Sequence, residues 1–171
     1  MAKRLSIDGY GQLELNQVAF RRDGRIEAQA KLAEGIKYVE NGMLLAVDPA
    51  TRTVKYPAEG DKFIALNYTT EHMYDERLVN ALKHFKLDNG SFLPRLGYLA
   101  TGDKFTTNCV SIAEAEGEFA TIEEVAAAGK YGHASEDGSI LVNNDENGAL
   151  LMVVECTTMP DGQDAVKFIA L

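Results

Sequence analysis

Tryptophan is absent from the 171 residues. That weighs against a carbohydrate-binding module, whose sugar faces stack on broad aromatic platforms, although the seven tyrosines keep a small place for such a reading. Cysteine is scarce: Cys109 and Cys156 each sit among apolar or β-forming residues, which reads as buried free thiols rather than a bridge. Nothing near either one in sequence supplies a base, so neither reads as a nucleophile. No apolar run reaches the length of a membrane span; the longest, residues 149–154, is strand-sized. The opening Met-Ala-Lys-Arg-Leu-Ser lacks the apolar stretch of a secretory signal, so the expected place of synthesis and residence is the cytoplasm.

Motifs for chemistry are equally scarce. His72 and Glu76 would share one face of a helix and offer two metal ligands, but two do not hold an ion, and His84 and His133 have no paired spacing of their own. The acidic pairs Glu114 and Glu116, Glu123 and Glu124, and Glu136 and Asp137 read as surface rather than as acid and base, because such pairs abound in an acidic chain. Asp145-Glu146-Asn147-Gly148 begins like a calcium loop but lacks the alternating oxygen ligands and the closing Glu, and reads as a hairpin tip. There is no phosphate-cradling Gly-x-x-x-x-Gly-Lys loop, no Gly-x-Ser-x-Gly elbow and no dinucleotide fingerprint. The expectation is a protein that is not an enzyme, with no catalytic residues, no metal and no cofactor.

What is present is an ordinary globular balance of 46% apolar and 25% charged residues, enough for one good core. The net charge of −9 is unevenly spread. Residues 1–33 hold six basic side chains (Lys3, Arg4, Arg21, Arg22, Arg25, Lys31) against four acidic ones, so this stretch is +2 and the remainder −11. An acidic body repels phosphate backbones, which argues against nucleic acid as a partner.

Along the chain, Gly9, Gly11 and Gly24 punctuate the first thirty or so residues, in which Leu13, Leu15, Val18, Phe20 and Ile26 are dispersed without a helical period. Residues 1–35 therefore read as an extended N-terminal arm that orders on a partner, or as a disordered tail, and 36–171 as the body. The run Met43-Leu44-Leu45-Ala46-Val47 ends at Asp48-Pro49-Ala50-Thr51 and restarts at Thr53, a β-hairpin pattern. Further strands are expected at 63–68, 105–112, 139–142, 150–157 and 165–171, with an edge segment around Phe92-Leu93-Pro94 and Leu96 to Leu99. A short helix is expected over 75–87, and a second at 121–129 from the capping pattern Thr121-Ile122-Glu123-Glu124 and the stop at Gly129. Gly-Asp-Lys-Phe occurs at 60–63 and again at 102–105, each time before a strand, too short a match to establish a repeat. Many short strands with Gly and Asp turns predict a mainly β fold, a small barrel or sandwich with one or two short helices; a small second lobe around 71–90 or 120–137 is the alternative arrangement.

Asn41-Gly42-Met43-Leu44-Leu45-Ala46-Val47-Asp48, Ala65-Leu66-Asn67-Tyr68-Thr69 with Met73-Tyr74-Asp75-Glu76, Pro94-Arg95-Leu96-Gly97-Tyr98, and Gly102-Asp103-Lys104-Phe105-Thr106-Thr107-Asn108 together resemble the head decoration, or capsid cement, proteins of tailed bacteriophages. The similarity runs from about residue 36 to the C-terminus. It implies a virion protein on the outside of the capsid, bound to the major capsid protein, with a homotrimer as the favoured oligomer and a terminal arm lying across neighbouring subunits. The family has no active-site residues to carry over. Charge and apolar dispersion single out Leu13, Leu15, Phe20, Arg21, Arg22 and Arg25 as capsid-interface candidates, since an arm can add its backbone to a neighbour's sheet edge while arginines pair with acidic groups. Competing readings are a tail or head-fibre component and a small β-barrel ligand-binding or enzymatic domain assembled from distant residues.

Overall fold

The computed structural model describes residues 2–70 and 81–171. The pair His72 and Glu76 and most of the helix expected over 75–87 lie outside the described residues; the part that is seen, Ala81–His84, is a single 3-10 turn.

The fold is mainly β. In chain order the strands are β1 (Lys3–Arg4), β2 (Leu13–Gln17), β3 (Ile26–Glu27), β4 (Lys31–Leu32), β5 (Tyr38–Val39), β6 (Leu44–Asp48), β7 (Thr53–Lys55) and β8 (Ile64–Asn67). They continue as β9 (Leu87–Asp88), β10 (Leu96–Gly97), β11 (Lys104–Thr107), β12 (Val110–Ile112), β13 (Tyr131–Ala134), β14 (Ile140–Asn143), β15 (Leu151–Thr158) and β16 (Asp164–Ala170), and among the described residues there is one α-helix, α1 (Ile122–Ala128), before β13. An eight-stranded sheet runs β1-β12-β14-β13-β15-β16-β11-β2, a six-stranded sheet runs β3-β10-β8-β6-β7-β4, and β5 pairs with β9. Leu96 and Gly97, read from sequence as an edge, are interior: β10 lies between β3 and β8, and Pro94 stays outside the strand.

Connectivity forces both sheets to curl. β11 and β12 stand near opposite ends of the eight-stranded order, yet only Asn108 and Cys109 join them. A link of that length spans at most ~11 Å. In the six-stranded sheet the two edges, β3 and β4, are likewise joined only by Ala28, Gln29 and Ala30. Neither sheet closes into a barrel, and the body is sandwich-like.

Two cores result, and β6 and β8 serve both. Leu44 and Leu66 point into a core with Phe105, Phe168, Ile140 and Leu151, while Leu45, Val47 and Ala65 point the other way, to Val54, Leu87, Leu96 and Cys109. Strands covered on both faces need apolar residues at every position, which is why residues 43–47 form a continuous run instead of alternating. Each fully buried large side chain contributes about 1.5–3 kcal/mol.

Helix α1 starts where the capping pattern places it: Thr121 accepts from the Glu124 amide, and the Glu124 carboxylate accepts from the Thr121 amide. Its Val125 is buried in the first core, so residues 120–137 belong to the body rather than to a second lobe.

Residues 1–35, read as an arm, are extended, but they lie on the chain's own body. β1 and β2 are the two outer strands of the eight-stranded sheet, and β3 and β4 are the two outer strands of the six-stranded sheet. Every outer strand of both sheets thus comes from this segment, which Leu5 and the fully buried Phe20 anchor in the first core. These edges are poor templates for further strands: three are two residues long, and β2 carries a register shift against β11.

Candidate functional site

The six interface candidates divide by what they touch. Phe20 is fully buried; its ring lies 4.7 Å from that of Tyr68 and fills space that a side chain at Gly97 would occupy, since a Cβ there would come within 2.6 Å of the ring. Phe20 is therefore a core residue and not an interface residue. Leu13 is half-buried and packs on the first core. Arg25 is also turned inward, donating to the Tyr98 carbonyl and meeting the Asp103 carboxylate at 3.4 Å. Asp103 is buried and ties this corner together, accepting from the amides of Ala19 and Ala100, each at 3.0 Å.

Leu15, Arg21 and Arg22 remain on the surface, and the fold brings them together. They line a groove of about 560 Å³ with Asn16, Gln17 and Val18 on one side and Thr101 and Gly102 on the other. The chain reverses at Gly24, φ +71°, so that Arg21 and Arg22 stand at the tip of a turn whose base is pinned by Phe20 and Arg25. Arg22 meets Asp23 at 2.8 Å.

A second surface was not anticipated from the sequence. On the outer face of the eight-stranded sheet, Met152 sits opposite Ile169 and beside Tyr131, and the Leu171 amide donates to the Leu150 carbonyl at the next pair. Leu150, Met152 and Leu171 are exposed, and Val154, at the register shift of β15, is 46% exposed. The Glu155 and Lys167 ion pair, at 3.0 Å, borders this apolar patch. Alternation along β15 and β16 would have revealed it: Leu151, Phe168 and Ala170 face inward, and the residues between them are apolar too.

A second densely bonded carboxylate in the interior is one that sequence reading passed over. The Glu40 carboxylate, 1% exposed, takes two hydrogen bonds from the Arg4 guanidinium, at 2.9 and 2.7 Å, and a third from the Gly11 amide at 2.7 Å. Its own backbone carbonyl accepts from the Asn67 side chain, and Arg4 also reaches the Cys109 sulfur at 3.6 Å. This knot ties β1 to the segment entering β6. The signal was there in principle: Glu40 is a lone charge inside a stretch of positions that become buried. It has little chemical use, because burial pushes the Cys109 thiol up to about 12 and removes the thiolate at neutral pH. Cys156, read as buried, is exposed near the end of β15.

Among the described residues no group of three or more His, Cys, Asp or Glu side chains is placed to hold a metal ion. No helix among them is long and apolar enough to cross a membrane. Compared with known protein families, curated proteins and solved structures, the chain matches none.

Proposed function

We propose that this chain is a non-enzymatic virion structural protein that binds the outside of a bacteriophage capsid and stabilises the shell, with the major capsid protein as its partner and a homotrimer as its working form. The observation that carries the proposal is the apolar patch of Leu150, Met152, Val154, Ile169 and Leu171 on the outer face of the eight-stranded sheet. A contiguous apolar patch with a polar border is what a protein-binding surface presents. The resemblance over residues 36–171 supplies the identity of the partner. Docking through a sheet face replaces the strand addition expected from the sequence, because the N-terminal segment is already spent on the chain's own edges.

Contacts too weak to hold one copy become strong when several copies engage a symmetric shell together. A decorating protein of this kind does no chemistry; it raises the barrier to rupture under internal pressure.

The test is the copy number in purified virions, measured by quantitative mass spectrometry against the major capsid protein. A ratio near one, or a simple fraction set by shell symmetry, supports decoration. A few copies per particle point to the tail or a head fibre, and absence from particles overturns the virion reading. Met152→Lys places a charge in the patch and is expected to abolish capsid binding while leaving the melting temperature nearly unchanged, since the side chain is already 39% exposed.

A further inference from the structure

We infer that the groove beside β2 is the seat for residues 113–119 of a second copy of this chain, so that copies join head to tail. This rests on the assembly reading only in taking the working form to be an oligomer, and it assigns the contact that builds it.

The groove is lined mostly by polar groups, Asn16, Gln17 and Thr101 among them, with Leu15 as an exposed apolar contact and Arg21 and Arg22 as a cationic rim. Such a rim is unusual on a chain of net charge −9. Its complement lies elsewhere in the same molecule. Between β12 and α1 the chain exposes Glu114, Glu116 and Glu118, followed by Phe119, whose side chain is 51% exposed. An acidic segment that ends in an exposed aromatic complements a groove that carries two arginines and an exposed leucine in charge and in its apolar contact. Neither Arg21 nor any of these three glutamates takes part in an ion pair among the described residues.

The segment is held ready rather than loose. Lys3 donates from behind to the carbonyls of Ala115 and Gly117, the Glu124 carboxylate accepts from the Glu116 amide at 3.0 Å, and the Ala120 amide is bonded to the Arg4 carbonyl. The groove wall is fixed in the same way by Asp103 and Phe20. Both partners are thus pre-ordered, which lowers the entropic cost of joining them. Within one copy the segment's hydrogen bonds go to Lys3 and Glu124, and none among the described residues reaches a residue that lines the groove. Two different surfaces on one molecule make a heterologous contact, which closes into a ring when the rotation permits.

The experiment uses the full chain in solution, without virions, followed by sedimentation velocity over a concentration series at low and high salt. The variants are Arg21→Glu with Arg22→Glu, Glu116→Lys with Glu118→Lys, and all four changes in one chain; circular dichroism melting checks that each is folded. The wild type is expected to self-associate, more weakly at high salt. Either two-residue reversal is expected to weaken association by about 100-fold, and the four-residue chain, with both charges exchanged, to regain it. A monomeric wild type overturns the inference, as does association that either reversal leaves intact or that the four-residue chain fails to restore. The outcome is separable from decoration, which is read from virions: a chain that rings in solution and is missing from particles would leave this contact standing.

Discussion

The Phe20 ring occupies the volume that a side chain at Gly97 would need, with the hypothetical Cβ only 2.6 Å from the ring. A residue from the N-terminal segment and one from the middle of the six-stranded sheet therefore determine each other. Gly97→Ala is expected to cost about 1–3 kcal/mol through overpacking. Phe20→Ala is expected to cost about 3–5 kcal/mol through the cavity it leaves. Urea denaturation of both variants checks this, and a Gly97→Ala protein as stable as the wild type would refute the packing claim.

Glu40 and Arg4 make the second tie. Removing the carboxylate leaves a guanidinium and the Gly11 amide without their acceptor, but Arg4 is 27% exposed at its side chain and partly re-solvates. Glu40→Ala is expected to lose about 3 kcal/mol, the lower end for a broken buried pair. Glu40→Gln keeps one acceptor oxygen and is expected to lose about half as much. Chemical denaturation midpoints of the two variants, compared with the wild type, decide it.

The two thiols are expected to differ sharply in reactivity. Cys156 is exposed and should react with a disulfide reagent at pH 8 in the native protein, more slowly than a free cysteine because partial burial raises its pKa. Cys109 should stay silent until the chain unfolds. A titration that counts thiols before and after adding denaturant gives one and then two; two fast thiols in the native state would contradict the burial of Cys109.

Acid sensitivity follows from the turns and the helix cap. The Thr51 hydroxyl and the amides of Ala50 and Thr51 hold Asp48 below its ordinary 3.8, Lys55 and the Ala58 amide do the same for Asp61, and the amides of Thr121 and Glu116 hold Glu124 below 4.5. A carboxylate whose folded value is depressed contributes stability above its unfolded value and loses it as pH falls through the folded one. The melting temperature should therefore be flat from neutral pH to about 4.5 and fall below that. Asp48→Asn should shallow the acid limb, and an unchanged limb would show that Asp48 has no part in it.

How much of this was legible in the sequence varies with the range of the interaction. The helix α1 was, because a cap is a local bargain between Thr121 and Glu124 three residues apart. The continuous run at 43–47 announced a buried strand, though not that β6 would divide two cores. The twin strings Gly60-Asp61-Lys62-Phe63 and Gly102-Asp103-Lys104-Phe105 looked alike, yet Phe63 is 51% exposed and Phe105 fully buried, because burial depends on what packs from elsewhere. Of the interface candidates, Leu15, Arg21 and Arg22 lie on the surface, while Phe20 and Arg25 turn inward to partners about 80 residues downstream, Gly97 and Asp103, which no local pattern names.

The sequence by itself determined that the protein is mainly β, where α1 begins, and that residues 1–33 carry a basic excess on an acidic chain. Each of those depends on composition or on neighbours within a few residues. Only the tertiary structure decided that residues 1–35 supply the outer strands of both sheets, that Arg21 and Arg22 rim a groove, and that Met152 and Leu171 share an exposed face. Those are facts of strand order and register, set when short strands far apart in the chain pair so that both cores are filled at once.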